Sequence, residues 1–149
     1  MKLYPLLSAL AGCLIAQFLK PFFSLFFRKK FDPALMFSSG KMPSSHSAAV
    51  AALTLAIGLS SGFDSYPFQI VLVFSIIVCY DAANVRYYAG QNISLTKKLI
   101  DDLKELNTIS FDDPIYEKKI KDVLGHTYFE VLSGILVGCL VAYLIYLLL

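Results

Sequence analysis

Four long apolar runs, separated by segments that hold nearly all of the charge, constrain the fold of this sequence most strongly. The runs cover residues 3–27, 47–63, 67–85 and 127–149. A helix needs roughly 20 apolar residues, within a range of about 17–25, to cross the hydrocarbon core of a bilayer. Only helices and closed barrels satisfy their backbone in lipid, and these runs lack the alternation of barrel strands. We therefore predict a single all-α integral membrane domain, a bundle of about four transmembrane helices.

Composition supports a membrane protein. Hydrophobic residues make up 57% of the 149 residues and charged residues 16%, against roughly 45–50% and about 25% in soluble domains. The net charge of +2 is too small to indicate a nucleic-acid partner. Cys13, Cys79 and Cys139 all lie in apolar runs without metal-ligand spacing, so we interpret them as packing residues. No small-residue cleavage site closes the first run, which we expect to be retained as a span.

The charged segments predict the orientation. Residues 28–42 and 86–125 hold most of the lysines and arginines, whereas the turn at 60–67 has none. Positive charge marks the cytoplasmic side, so both segments are expected there, with both termini outside. Leu95–Leu106 places apolar and charged residues at helical spacing, which predicts an amphipathic cytoplasmic helix. We expect a break at residues 112–114, then a second short helix.

Strongly polar residues at the span ends converge on this cytoplasmic level. They are Lys20, Arg28, Ser44, Ser45, His46, Asp81, Arg86, His126 and Glu130. Polar groups in a membrane are costly and are usually paired or functional. The alternative is a set of snorkelling residues at ordinary helix boundaries. The convergence of four span ends, with both histidines of the chain among them, favours a functional site.

The residue types predict a phosphate ligand. Lys20, Arg28 and Arg86 are cations, and Ser44 and Ser45 supply hydroxyl donors at a helix start. A helix N-terminus binds anions through its N–H groups and its dipole. Residues 125–127 offer a second such terminus at the fourth span. Asp81 is expected to pair with Lys20 or Arg86 and to orient it.

The two histidines suggest a reaction. His126 and Glu130 are four residues apart and share a helix face. The carboxylate can accept from one imidazole nitrogen and leave the other as a nucleophile toward phosphorus. His46 can then protonate the departing alkoxide. The alternative is a helix-start pair without catalysis. No metal or cofactor is expected, because the paired aspartates at 101–102 and 112–113 lack calcium-loop spacing.

Four stretches that contain these residues occur in the order of a known family. They are Ala16-Gln17-Phe18-Leu19-Lys20, residues 39–48, residues 80–86, and Leu124-Gly125-His126-Thr127 with Glu130-Val131. Together they resemble the type-2 phosphatidic acid phosphatase and vanadium haloperoxidase superfamily. The sequence is most similar to its small bacterial and plastid branch, labelled acid phosphatase/vanadium-dependent haloperoxidase-related. Met-Pro-Ser-Ser-His-Ser at 42–47 is the most specific motif.

The resemblance implies roles for these residues. Lys20 and, more loosely, Arg28 would fill the first motif, and His46 would act as the acid of the second. Arg86, His126 and Glu130 would fill the third, with His126 as nucleophile. Here Arg86 and His126 are separated by 39 residues where the superfamily has only a few, and Glu130 replaces an Asp.

Four further positions depart from the branch pattern. Lys41, Asn84, Tyr87 and Tyr128 stand where the branch has Gly, Gly, Arg and Pro. None of these changes removes a reacting group, and we expect those at Lys41 and Asn84 to alter loop geometry and pocket shape. Gly134 and Gly138 are four apart in the fourth span, a spacing that permits close approach of another helix within the chain.

The resemblance implies a metal-independent phosphatase of a bacterial inner membrane or plastid membrane. A cytoplasmic site favours a lipid phosphomonoester and a phosphohistidine intermediate, with phosphatidylglycerol phosphate first and phosphatidic acid next. A polyprenyl pyrophosphate is a further candidate substrate. The alternatives are a non-catalytic phospholipid-binding or scaffold protein and a vanadate-dependent haloperoxidase. The expected partners are membrane lipid and, as a candidate assembly, a second copy in a homodimer.

Overall fold

Helices account for most of the chain that a computed structural model describes, namely residues 3–28, 31–37, 41–105 and 126–149 without the side chains of 27, 28, 104 and 105. The five α-helices are α1 Tyr4–Arg28, α2 Ser45–Ser61, α3 Tyr66–Tyr80, α4 Arg86–Glu105 and α5 Tyr128–Leu148. A short 3-10 helix, Pro33–Phe37, follows α1, and a π-helical turn, Asp81–Val85, joins α3 to α4. These described ranges contain no strand.

Three helices are long and apolar enough to cross a membrane. They cover Tyr4–Phe26, Tyr66–Leu103 and Tyr128–Leu148, and the 17-residue α2 is a shorter apolar helix. The predicted all-α membrane bundle, with an amphipathic helical segment after its third span, is confirmed. The helix that contains the third apolar run continues past Val85, through the π-helical turn, into α4. Charge at Arg86 ends an apolar span, whereas ending a helix requires a loss of backbone hydrogen bonding. The predicted break at 112–114 and the helix after it lie outside the described residues.

Hydroxyl side chains cap the helix starts. Ser44, Ser65 and Thr127 are the N-caps of α2, α3 and α5, and each accepts a hydrogen bond from a backbone N–H in the first turn. Such caps satisfy donors that a helix start otherwise leaves unpaired. Gly62 ends α2 with a φ of 94°, a left-handed conformation that glycine adopts without steric cost. The sequence thus sets the helix boundaries locally.

The centre of the bundle is built from small residues. Tyr4 of α1, Ala52 and Ala56 of α2, and Ala142 of α5 form a buried cluster, in which the Tyr4 hydroxyl donates to the Ala142 carbonyl at 2.9 Å. A Cβ atom at Gly134 or Gly138 would overlap the carbonyl oxygen of Ser44 or Ala48. The predicted close approach of another helix at these two glycines is therefore confirmed, and that helix is α2.

The other helices arrange themselves around this centre. α1 packs on both α2 and α5, whereas α3 packs mainly on α2, and α4 contacts the bundle mainly through the π-helical turn. As a result, the N-terminal ends of α2 and α5 meet the C-terminal end of α3 at one end of the bundle. This end carries the predicted polar residues.

Candidate active site

The first turn of α5 is organised by Glu130. Its Oε2 accepts from the Thr127 backbone N–H at 3.0 Å, while the Glu130 N–H lies 3.4 Å from the Thr127 hydroxyl, which completes a capping box. The same Oε2 lies 3.2 Å from Nδ1 of His126. Because an ionised carboxylate only accepts, this bond places the hydrogen on Nδ1 and leaves a lone pair on Nε2. One side chain therefore caps the helix and sets the tautomer of His126.

His126 is anchored on its other side by the π-helical turn. Its backbone N–H donates to the Ala82 carbonyl at 3.0 Å, and the residue is only 4% exposed. Two residues on, the Tyr128 hydroxyl donates to Oδ1 of Asn84 at 2.8 Å. Asn84 and Tyr128 both depart from the expected branch pattern, and here they bond to each other. The two departures thus form a second link between α5 and the turn.

Ser44 joins the start of α2 to the start of α5. Its N–H donates to the Glu130 carbonyl at 2.9 Å. Its hydroxyl accepts from the N–H of Ser47 at 3.4 Å and from the hydroxyl of Ser47 at 3.0 Å. Ser44 and its neighbour Ser45 are both buried. Ser44 therefore caps α2 and links its first turn to that of α5. The proposed role of both serines as hydrogen-bond donors to a phosphate stays a prediction.

His46 is an exposed residue in the otherwise buried first turn of α2, just before the apolar run of that helix. It is within electrostatic range of Arg86, His126, Lys20 and Asp81. Partial desolvation, followed by the positive charge of Arg86, lowers the pKa of His46 below its ordinary value. The fold therefore brings both histidines and two cations to the same end of the bundle.

The π-helical turn aligns Arg86 with Asp81. Residues five apart on a regular α-helix are displaced by about 140° around its axis. Here the Arg86 N–H bonds to the Asp81 carbonyl, an i to i+5 bond that closes the turn at that spacing. Nε of Arg86 then lies 2.7 Å from Oδ2 of Asp81. Asp81, which was expected to pair with Lys20 or Arg86, is paired with Arg86.

Lys20 reaches the site from the middle of α1. It is 1% exposed, lies within electrostatic range of Glu130, and borders a cavity of about 200 Å³. Lys41, Met42, Thr127 and Glu130 are among the other lining residues, whereas His46, His126 and Arg86 are not. Glu130 therefore contacts the buried His126 and also lines a small cavity that two lysines border.

Lys41 adopts an unusual backbone conformation beside this cavity. Its φ is 65°, in the left-handed region that glycine favours. Gly was expected at this position from the family resemblance, and the substitution by Lys was expected to alter the loop geometry, but this conformation was not predicted. The contribution of its side chain to the cavity was missed, because the spacing of residues does not show on which side of a loop a lysine lies.

Most of the predicted site residues lie together at one end of the bundle. The set comprises Lys20, Ser44, Ser45, His46, Asp81, Arg86, His126 and Glu130. The side chain of Arg28 lies outside the described part of the chain. Thr127 was predicted only as part of the start of α5, and its role in a capping box was missed, although Thr-x-x-Glu before an apolar run is a signal for such a box.

Comparison with known proteins agrees with the family resemblance found in the sequence. The family model described as "Divergent PAP2 family" matches residues 1–141. An uncharacterized membrane protein of Bacillus subtilis (strain 168), YuiD, is 39% identical over 142 residues, which cover 92% of this chain and 90% of that protein. No solved structure matches the chain.

Proposed function

Because the chain belongs to the divergent PAP2 family, we propose that it is a membrane phosphatase that hydrolyses a lipid phosphomonoester through a phosphohistidine intermediate. The observation that carries this proposal is the hydrogen bond between Nδ1 of His126 and Glu130, made in a site that also holds His46 and Arg86. A carboxylate-held imidazole is the arrangement that activates a histidine as nucleophile.

The proposed reaction has two steps. Nε2 of His126 attacks phosphorus, the bond to the ester oxygen breaks, and protonated His46 gives its proton to the leaving alkoxide. Water then attacks the phosphorus, the bond from phosphorus to Nε2 breaks, and His46 recovers a proton from that water. Lys20 and Arg86 stabilise the charge of the phosphoryl oxygens, and Asp81 holds the guanidinium of Arg86 in position. Each step proceeds without a metal.

The position of the site supports a lipid substrate. The reacting groups lie at the ends of apolar helices, where the headgroup of a lipid meets the membrane surface. We propose that this end faces the cytoplasm, because the segments around it carry the positive charge. Phosphatidylglycerol phosphate is the favoured substrate, followed by phosphatidic acid. We propose a bacterial inner membrane or a plastid membrane as the location.

A non-catalytic phospholipid-binding protein is the second candidate function. The cavity that holds Lys20 and Lys41 supports it, because two cations in a small cavity suffice to bind a phosphate headgroup. Binding alone requires neither the bond between His126 and Glu130 nor His46. These groups therefore favour the enzyme.

Phosphate release from purified protein in detergent tests the two functions against each other. A panel of lipid phosphomonoesters is offered to the wild type, His126→Ala and His46→Ala, with chelator present, and Lys98→Ala on α4 serves as a control outside the site. We expect release by the wild type and the control and loss in both histidine variants. Headgroup binding without release from any lipid would instead support the binding protein. Loss of wild-type release on adding chelator would overturn the metal-free mechanism.

A further inference from the structure

A second, larger cavity lies between the spanning helices. It measures about 430 Å³, within the roughly 300–1,000 Å³ typical of ligand pockets. Its lining is almost wholly apolar and comes from three helices, represented by Val50 and Leu55 of α2, Leu72 and Ile76 of α3, and Ile135 and Cys139 of α5. We refer to it as the apolar cleft. The proposed reaction does not involve any of these residues.

The packing of the helices explains why the cleft exists. Gly134 and Gly138 bring α5 close to α2, and α3 also packs mainly on α2. In the part of the chain that the structure describes, α3 and α5 make little contact with each other, and the cleft lies between them along α2. The cleft is open at the surface of the bundle, since Leu72 and Ile76 on its wall are 39% and 60% exposed, and an apolar chain from the surrounding lipid can therefore enter it.

The polar groups on the wall indicate the chemistry of that occupant. Thr54 and Ser75 are hydroxyl residues in the cleft, and their oxygens lie 2.7 Å apart. The Thr54 hydroxyl also lies 2.8 Å from the Val50 carbonyl, and that of Ser75 lies 3.2 Å from it. Since these hydroxyls are satisfied within the wall, the cleft favours a purely apolar occupant.

The inner end of the cleft adjoins the candidate active site. Cys79 and Ile135 line this end and pack against the buried cluster of Ala82, Ala83 and Val131. The Ala82 carbonyl accepts from His126, and Val131 follows Glu130 in the chain. A single layer of packing therefore separates the cleft from the reacting groups.

Two aromatic rings lie at the outer end of the cleft. Phe63 and Phe68 line the cleft and form an edge-to-face pair with ring centres 5.2 Å apart. From Phe68 to Cys79 the helix rises by about 16 Å. The cleft is therefore about 16 Å long, roughly half the thickness of the hydrocarbon core, which suits one acyl chain that starts near the candidate active site.

We propose that the apolar cleft binds one acyl chain of the lipid whose phosphate occupies the candidate active site, and that Phe63 and Phe68 set the longest chain that fits. The phosphate half of this proposal rests on the proposed function. Surrounding lipid is as apolar as the cleft, so burial there adds little affinity. Selectivity arises instead because a chain longer than the cleft has to bend around the two rings.

Tryptophan fluorescence tests the occupant without requiring turnover. The chain has no Trp, so Leu72→Trp at the wall of the cleft is a single reporter. Phe74→Trp is its control. Phe74 lies two residues further along the same helix, at a similar depth in the membrane, and its side chain is 63% exposed outside the cleft. Both are made with His126→Ala, which prevents hydrolysis, and placed in unbrominated lipid with a low mole fraction of phosphatidic acid brominated in its acyl chains.

We expect stronger quenching at Leu72→Trp than at Phe74→Trp, and relief of the difference by unbrominated phosphatidic acid. Equal quenching at the two positions would overturn the proposal, because it would show that the cleft does not concentrate the brominated chain, and weaker quenching at Leu72→Trp would overturn it by showing that something else fills the cleft. Quenching at Leu72→Trp by a brominated lipid without a phosphomonoester, to the same extent, would also overturn it by showing a general lipid site.

Chain-length dependence of hydrolysis tests the role of the rings. For Phe63→Ala with Phe68→Ala, we expect the ratio of rates for chains longer than the cleft to rates for short chains to rise roughly tenfold, because forcing extra methylenes into a filled apolar site has a cost of that order. An unchanged ratio in a variant that still cleaves short chains would overturn this role. Absence of hydrolysis in the wild type would instead refute the proposed function, and the quenching experiment would still decide whether the cleft binds the chain.

Discussion

Glu130 performs two tasks that substitution can separate. Its Oε2 accepts from Thr127 to cap α5 and from Nδ1 of His126 to hold the proposed nucleophile. Thr127→Ala removes only the hydroxyl half of the capping box. Glu130→Gln keeps an oxygen acceptor and removes the negative charge, whereas Glu130→Ala removes both functions. Comparing the three variants therefore separates the contribution of Glu130 to the stability of α5 from its contribution to catalysis.

The magnitudes follow from these contacts. Loss of an N-cap hydroxyl costs about 1 kcal/mol, which corresponds to a fall in melting temperature of about 2–4 °C for a domain near this size. Glu130→Ala loses a cap acceptor and a bond to an imidazole, and we expect about 2–3 kcal/mol. Glu130→Gln should remain within about 1 kcal/mol of the wild type, because its amide oxygen can accept the same bonds.

The expected order of activity differs from the order of stability. Thr127→Ala should retain activity, because the bond from His126 to Glu130 remains. Glu130→Gln should lose roughly a hundredfold or more in kcat/KM, since a neutral amide stabilises the imidazolium poorly and permits the wrong tautomer. Thermal unfolding in detergent and phosphate release would be measured on each variant. Full activity in a folded Glu130→Gln variant would refute the proposed role of the carboxylate.

Three further predictions follow from other parts of the molecule. Gly138→Ala should destabilise the bundle by about 1–3 kcal/mol in thermal unfolding, because its Cβ would overlap the Ala48 carbonyl. Gly12→Ala should destabilise it less, because the new Cβ would lie 3.0 Å from that of Ala52. Equal melting temperatures of the two variants would contradict the packing of α5 on α2. The pKa of His46 is lowered, so its protonated form is lost as the pH rises through a value below about 6.5. If His46 is the acid, kcat/KM should decrease as the pH rises above that value. An increase in kcat/KM from pH 6 to 8 would argue against this role. A cysteine placed at Ser94 in a cysteine-free background should be labelled only from the cytoplasm, and labelling only from outside would reverse the orientation.

The sequence contained enough information to predict the spans and the identities of most site residues. The thickness of a bilayer fixes the length of an apolar helix, so the four runs were recognisable without tertiary structure. Polar residues in or directly beside such runs are costly, which singled out Lys20, His126 and Glu130. In each case a strong physical constraint acts on a short stretch of chain.

The remaining features depend on how distant parts of the chain pack. The π-helical turn that aligns Asp81 with Arg86 has no local sequence signal, since its residues also fit an α-helix. The bond between Asn84 and Tyr128 joins residues 44 positions apart. The apolar cleft is lined by α2, α3 and α5 together, so it depends on how these three helices pack.

The most direct test of the central claim is the capture of a phosphate on His126. Protein incubated with a lipid phosphate labelled in its phosphoryl group would be quenched in base, which preserves phosphohistidine, and the modified residue would be identified by peptide mass spectrometry. We predict label on His126 in the wild type, no label in His126→Ala, and turnover only in the wild type. Continued phosphate release by a folded His126→Ala variant, or label on another residue, would contradict the account.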